Sequence, residues 1–273
     1  MLTRVDVYSE RKGSNPGGKV RLSRGKQSID AYVKYCTGTR TGNFNFTATH
    51  QPIYEALTLA WAESLGLKVP NFYVLKNEGQ IQFNYVDRRI PRWNEKMPFY
   101  LVSELASLEN ETDSLELKNK LKKEKLYRDL LGITDVSGKR QNFGLVQTDD
   151  GKEVIYVDLG CSFVYAVEGY LRLKKGMFRD VSNKRARKRN LKKIVEHEIA
   201  TNRWENIVPL AEVLTFPRRA NIPLLGKGRL KEVPLVDLLK ENEIEEIMAI
   251  IEVEMTSAIR RHSTLGTEEL FRT

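Results

Sequence analysis

Apolar positions along the chain group first into short strand-like runs, then into helical stripes interrupted by one hairpin pattern. KVRLSR from Lys19 and IDAYVKYC from Ile29 are rich in strand formers and are parted by a short charged turn at Gly25–Lys26. Ahead of them RKGSNPGGK carries three glycines and a proline, which predicts a loop able to bring its backbone close to a ligand. PIYEALTLAWAESLG then predicts a helix, with Pro52 in its first turn and Gly66 as a left-handed cap. Ile53, Leu57, Ala60 and Trp61 form one apolar stripe on it, Leu59 and Ala62 a second, and Glu55 lies in line with the second. Two more strand-like runs follow, 71–75 and 80–86, with the turn Asn77–Glu78–Gly79 between them.

The polar, proline-containing stretch DRRIPRWNEKMP reads as a linker, and a lysine-rich helix is expected from Leu115 to Leu131. NFGLV (142–146) and EVIYVDLG (153–160), joined by Thr148–Asp149–Asp150–Gly151, read as a β-hairpin. A helical tail follows, its apolar stripe running from Leu235 to Ile259 opposite an acidic face. The order predicts an α+β chain of two lobes: a small β-rich lobe with one helix over 1–88, and a larger, mainly helical lobe over 89–273.

Length and composition fit that picture. With 273 residues the chain can bury two cores, and 41% hydrophobic against 30% charged residues suits a globular chain rather than a disordered one. The opening MLTRVDVYSERKG has no apolar segment of a secretory signal, and no run approaches the roughly 20 apolar residues of a membrane span. A cytoplasmic location is therefore expected, with Cys36 and Cys161 as thiols. His50, His197 and His262 are scattered without ligand spacing, which argues against a zinc enzyme. The net charge of +9 is concentrated in one place. Residues 172–193 hold eleven Lys/Arg and one acid, Asp180, so the remainder of the chain is close to neutral.

Five residues carry candidate chemistry. Lys34 stands near the end of an apolar strand, and Glu55 sits among apolar neighbours on the following helix. A carboxylate there is costly to bury unless a cation meets it, and a strand lysine facing the same interior would do so. Taken singly, the lysine also fits an edge position in water and the glutamate a helix flank. Asp158 ends an apolar strand before a small turn, and Asn142 opens the partner strand. Together they offer oxygen ligands to a hard cation such as Mg²⁺. Asp135, just after a helix, is left to accept a hydrogen bond from an acceptor hydroxyl. Phosphoryl transfer from ATP needs such a set: a cation for phosphates, oxygens for the metal, and a carboxylate for the acceptor. Each Asp or Asn also fits a plain turn.

RKGSNPGGKVRL, YVKY, YEALTLAWAESLGLKVP, LLGITD…QNFGLV and IYVDLG, across residues 10 to 165, resemble the HipA-type serine/threonine kinases in their compact form. Glu55 precedes Gly66–Leu67 by eleven residues, the interval of that family. The resemblance implies a two-lobed protein-kinase-like fold and transfer of the γ-phosphate of ATP to a protein Ser/Thr hydroxyl. It places ATP phosphates on Gly13, Ser14, Gly17, Gly18 and Lys34, and the adenine at a hinge around Tyr85, Val86 and Asp87. It makes Lys34, Glu55 and Asp135 catalytic, with Asn142 and Asp158 holding Mg²⁺. It also implies autophosphorylation at Ser14, where a phosphate would repel those of ATP. The chain departs from the family between Asp135 and Asn142, where six residues replace the usual four and Val136–Ser137 replaces an Arg-His pair.

The basic segment follows directly after the DLG turn. It reads as a solvated loop, a partner for the acidic tail helix, or a surface for an acidic protein substrate or a nucleic acid, with Lys184, Arg185, Arg187, Lys188 and Arg189 at its centre. Two alternatives to a protein kinase stand beside it. One is an inactive kinase-like fold acting as a basic binding module, and the other a small-molecule or lipid kinase. The oligomeric state is not legible.

Overall fold

The structure, a computed structural model, describes residues 2–10, 15–36, 46–108, 115–124, 127–128, 131, 142–149, 151–159, 165–167, 170–172 and 210–265. Over these the chain is mixed α+β, with one large sheet and few helices. Eight strands make the sheet: β1 (Thr3–Val7), β2 (Gly17–Arg24), β3 (Gln27–Lys34), β4 (Phe72–Lys76), β5 (Ile81–Tyr85), β6 (Phe99–Glu104), β11 (Asn221–Leu225) and β12 (Leu230–Pro234). Their order across it is β12-β11-β4-β6-β3-β2-β1-β5. Antiparallel pairing dominates. The exceptions are β5 on β1 and β11 on β4, which are parallel. A separate hairpin pairs β7 (Phe143–Thr148) with β8 (Gly151–Tyr156), and β9 (Tyr165–Val167) pairs with β10 (Tyr170–Arg172). The helices are α1 (Gln51–Ser64), α2 (Leu115–Lys123), α3 (Leu210–Arg219) and α4 (Glu241–Leu265).

The sheet curls. Residues 77–80 alone join β4 to β5, yet four strands lie between those two in the sheet. A connection that short brings the β5 edge round toward β4, as in a partly closed barrel. Side chains alternate across the curl. Ala31 and Val33 of β3 enter the inner core with Val5, Val20, Tyr100 and Val102, and Ile90 and Trp93 from the segment after β5 join them. Tyr35, Phe83, Trp93 and Tyr100 pack there as an aromatic group with ring centroids 5.5–6.0 Å apart. Residues on the alternate positions, such as Val74 and Leu101, face outward to a second core. That core includes Ile53, Leu57 and Trp61 of α1 and Ile244, Ile247 and Ile251 of α4.

Helix α1 is buried on nearly every side, which is why both of its apolar stripes are needed. It ends as its glycine predicts. Gly66 has φ +79°, its N–H donates to Glu63, and the N–H of Leu67 reaches back to Ala62.

The strand expectations change. β6 falls in a stretch expected to lead into helices, and β11 and β12 fall where no strand was predicted. The boundary expected between residues 88 and 89 lies between β5 and β6, two strands of one sheet, and residues 221–234 return to that sheet from the far end of the chain. The helix expected to reach Leu131 is described as α2 to Lys123, and residues 127–128 are helical again. The Arg128 and Leu131 N–H groups donate to the Glu124 and Tyr127 carbonyls, with Leu131 fully buried.

Candidate functional site

Lys34 occupies the last position of β3, on the outward face that α1 covers. Alternation from the buried Ala31 and Val33 sends its side chain away from the inner core. There its Nζ donates to Glu55 Oε1 at 2.6 Å and to Asp158 Oδ1 at 2.7 Å. Three elements distant in sequence thus meet at one ammonium: a strand, a helix and the residue two beyond β8.

Burial differs sharply within the group. The side chains of Lys34 and Glu55 are 12% and 2% exposed, whereas that of Asp158 is 39% exposed. Burial opposes charge on Lys34, but the carboxylates of Asp158 and Glu55 outweigh it and hold the ammonium above the ordinary lysine range. Burial pushes the Glu55 carboxyl up, against the opposing pull of Lys34. One cation between two carboxylates leaves a net negative site with an outward-facing oxygen donor.

Glu55 is fixed by its own helix and by a neighbour. Gln51, one turn earlier, donates Nε2 to Glu55 Oε2 at 2.9 Å, while its buried Oε1 has no partner among the described residues. The start of α1 is gripped by Glu243 of α4, a residue with no exposed surface. Its Oε1 accepts from the Tyr54 hydroxyl and lies 3.0 Å from His50 Nδ1, and its Oε2 accepts from the Lys240 N–H at 3.1 Å. Sequence reasoning named neither Gln51 nor Glu243 as a site residue. Glu243 was one acid among several on the tail, and only long-range packing sets it apart.

The β7–β8 hairpin carries Asn142 and Asp158 at its open end. The Val157 N–H donates to the Asn142 carbonyl at 2.9 Å, one step beyond the Phe143–Tyr156 pair, so the two residues flank the same end. Asn142 is buried. The hairpin is moored to the chain after α1, where the Tyr156 N–H donates to the Lys68 carbonyl and Lys68 Nζ meets Glu153 at 2.7 Å.

Gly17 and Gly18 open β2 beside the lysine, with Gly17 opposite Lys34 and Gly18 opposite Val33. A Cβ on Gly17, at φ +151°, would stand 2.0 Å from the Val33 carbonyl oxygen, and one on Gly18 would stand 2.4 Å from that of Ser9. Both glycines are therefore required by close backbone approach.

The expected hinge residues are separated from Lys34 by two strands in the sheet order. Tyr85 ends β5, which pairs with β1 at the sheet edge, so β1 and β2 stand between it and β3. Val86 is 65% exposed and donates its N–H to Val7, and Asp87 pairs with Arg89. The strand beside Lys34 is β6, with Leu101 directly opposite. Gly13, Ser14, Asp135, Lys184, Arg185, Arg187, Lys188 and Arg189 lie outside the described residues. Among the described residues no helix is long and apolar enough to cross a membrane, and no group of three His, Cys, Asp or Glu side chains could hold a metal.

No family model matches the sequence, and no curated protein matches it significantly. Among solved structures, the chain is similar to the crystal structure of the proinflammatory kinase CtkA of Helicobacter pylori, with 13% identity, a TM-score of 0.36 and 95% of each chain covered.

Proposed function

We propose that the chain is an ATP-dependent phosphotransferase using Mg²⁺, with a protein serine or threonine hydroxyl as acceptor. One observation carries the reading: the Lys34 ammonium is shared between a buried carboxylate, Glu55, and an outward-facing one, Asp158. The second partner here is the exposed one, which a phosphate group can replace.

The donor set fits a hard cation. Asp158 and Asn142 offer a carboxylate and an amide at the same end of one hairpin, and Mg²⁺ commonly takes one or two carboxylates, with water and phosphate oxygens completing its shell. Bound MgATP would supply the transferable phosphoryl group together with the positive charge that offsets its oxygens. Glu55 holds Lys34 in place. Lys34 Nζ would hold phosphate oxygens, and Asp158 with Asn142 would hold the metal, which would supply positive charge against those oxygens. Asp135 accepts the proton of the acceptor hydroxyl. The basic segment, centred on Lys184, Arg185, Arg187, Lys188 and Arg189, draws in an acidic protein.

Purified protein incubated with γ-labelled ATP and Mg²⁺, alone and with a cell lysate, is expected to place label on protein. Lys34→Met and Asp158→Asn should each lower the yield at least a hundredfold while melting cooperatively. Unchanged labelling in both variants would overturn the proposal. So would nucleotide binding without transfer, which belongs to a binding module.

A further inference from the structure

At the end of the curled sheet away from Lys34, the β2–β3 turn faces the β11–β12 turn. Arg24 ties them together, donating Nη2 to the carbonyls of Lys227, at 2.9 Å, and Gly228. Between the turns lies a cavity of about 650 Å³, within the range of pockets that take drug-sized ligands. Gln27 and Lys34 stand at opposite ends of β3, seven residues apart, so the cavity is roughly 23 Å from the Lys34 site. It is a separate place on the molecule.

The lining is divided by chemistry. Leu22, Ile29, Tyr73 and Leu225 give an apolar floor continuous with the inner core. Arg24, Lys26, Lys227 and Arg229 stand around it, and no aspartate or glutamate lines it. Lys26 and Arg229 make no salt bridge among the described residues. Thr3 is only 2% exposed and also lines the cavity, yet its Oγ1 has no hydrogen-bond partner among the described residues. A buried hydroxyl without a partner is costly, and a polar group entering the cavity would satisfy it.

We propose that this cavity is a second ligand site, taking a small amphipathic organic anion whose apolar body lies on Leu22, Ile29, Tyr73 and Leu225 and whose carboxylate or phosphate meets the cations around them. Four cations with no aspartate or glutamate in the lining, Glu78 meeting Lys227 from outside it, favour one negative charge and disfavour a cation of the same shape. The apolar floor excludes a bare inorganic anion as the preferred ligand, because the anion would leave that surface wet.

The test uses naphthalene-2-carboxylate with its neutral amide and a cationic naphthylmethylammonium, titrated into the full chain carrying ¹³C-labelled Leu and Ile methyl groups. The carboxylate is expected to give saturable shifts at Leu22, Ile29 and Leu225, and to bind at least tenfold tighter than the amide. The Lys26→Glu/Arg229→Glu double variant changes only exposed side chains and should weaken the carboxylate at least tenfold with an unchanged melting curve. Ser28→Trp, filling the cavity from its edge, should abolish the shifts, and Thr3→Val should weaken binding several-fold. Equal affinity for the amide would overturn the proposal. So would undiminished binding in the charge-reversed variant, no saturable shift at these methyls, or shifts centred on Leu57 and Leu101.

Discussion

Lys34 and Glu55 have unequal claims on each other. Removing the lysine leaves a carboxylate 2% exposed facing Asp158, with Gln51 as its remaining side-chain donor among the described residues, whereas removing the glutamate leaves Lys34 its bond to Asp158. Stranding one member of a buried pair costs about 3–5 kcal/mol, often more than replacing both by apolar groups. Lys34→Met should therefore destabilise the chain by about that amount, and the double variant Lys34→Met/Glu55→Leu should recover most of the loss in denaturant unfolding. The pH dependence has a definite sign. The folded-state pKa of Glu55 is raised, so its contribution is most favourable below the unfolded carboxylate value, about 4.3, and is lost as pH rises through the folded value. Without Lys34 that raised value climbs further. The deficit of Lys34→Met should then shrink on acidification, and a constant deficit across the pH series would contradict this account.

At the scale of elements, α1 is held at both ends of its working stretch. Its C-terminus is closed by Gly66, and its start is clamped by Glu243, which also caps α4 by accepting from the Lys240 N–H. Burial alone would raise the Glu243 carboxyl, but bonds from His50, Tyr54 and the Lys240 N–H hold it below the usual glutamate range. That lowered value contributes stability above the unfolded pKa of about 4.3, lost as pH falls through the folded one. Glu243→Gln should melt earlier than wild type at neutral pH, by about 2–3 kcal/mol for a lost charge-assisted bond, and match it in strong acid. A gap that persists at low pH would count against the clamp. The sequence made α1 itself legible, because Pro52, Gly66 and two stripes mark a helix locally. Lys34, Glu55 and Asp158 were legible because each breaks an apolar pattern. Gln51 and Glu243 break none, so their burial is visible only once α4 has packed.

For the whole molecule, what stayed hidden in the sequence was long-range pairing. β6 reads FYLVSE, with its middle buried on both faces, so it lacks the alternation that marks a half-exposed strand. β11 contains Pro223, a residue that argues against a strand inside a sheet. It is tolerated because pairing with β4 involves only Leu224 and Leu225. Deleting everything after Ala220 would strip β11 and β12 from β4 and remove the clamp on α1. The truncated chain should lose its cooperative melt and self-associate in size-exclusion chromatography. A monomeric, cooperatively melting fragment would show that the sheet does not need its last two strands.

The strand order also imposes a schedule on synthesis. Lys34 and Glu55 leave the ribosome early, but β4, complete at Lys76, waits for Leu225 before its outer edge is covered. At about 5–20 residues per second, that wait lasts roughly 7–30 s. Through that interval a nascent chain carries an open strand edge, which invites stray pairing between neighbours on one messenger. It also carries a lysine and glutamate whose helix still lacks Glu243 at its start. The surroundings of Lys34 and Glu55 are therefore completed late, by β11 and α4, and a chaperone holding the unfinished sheet would act during those seconds.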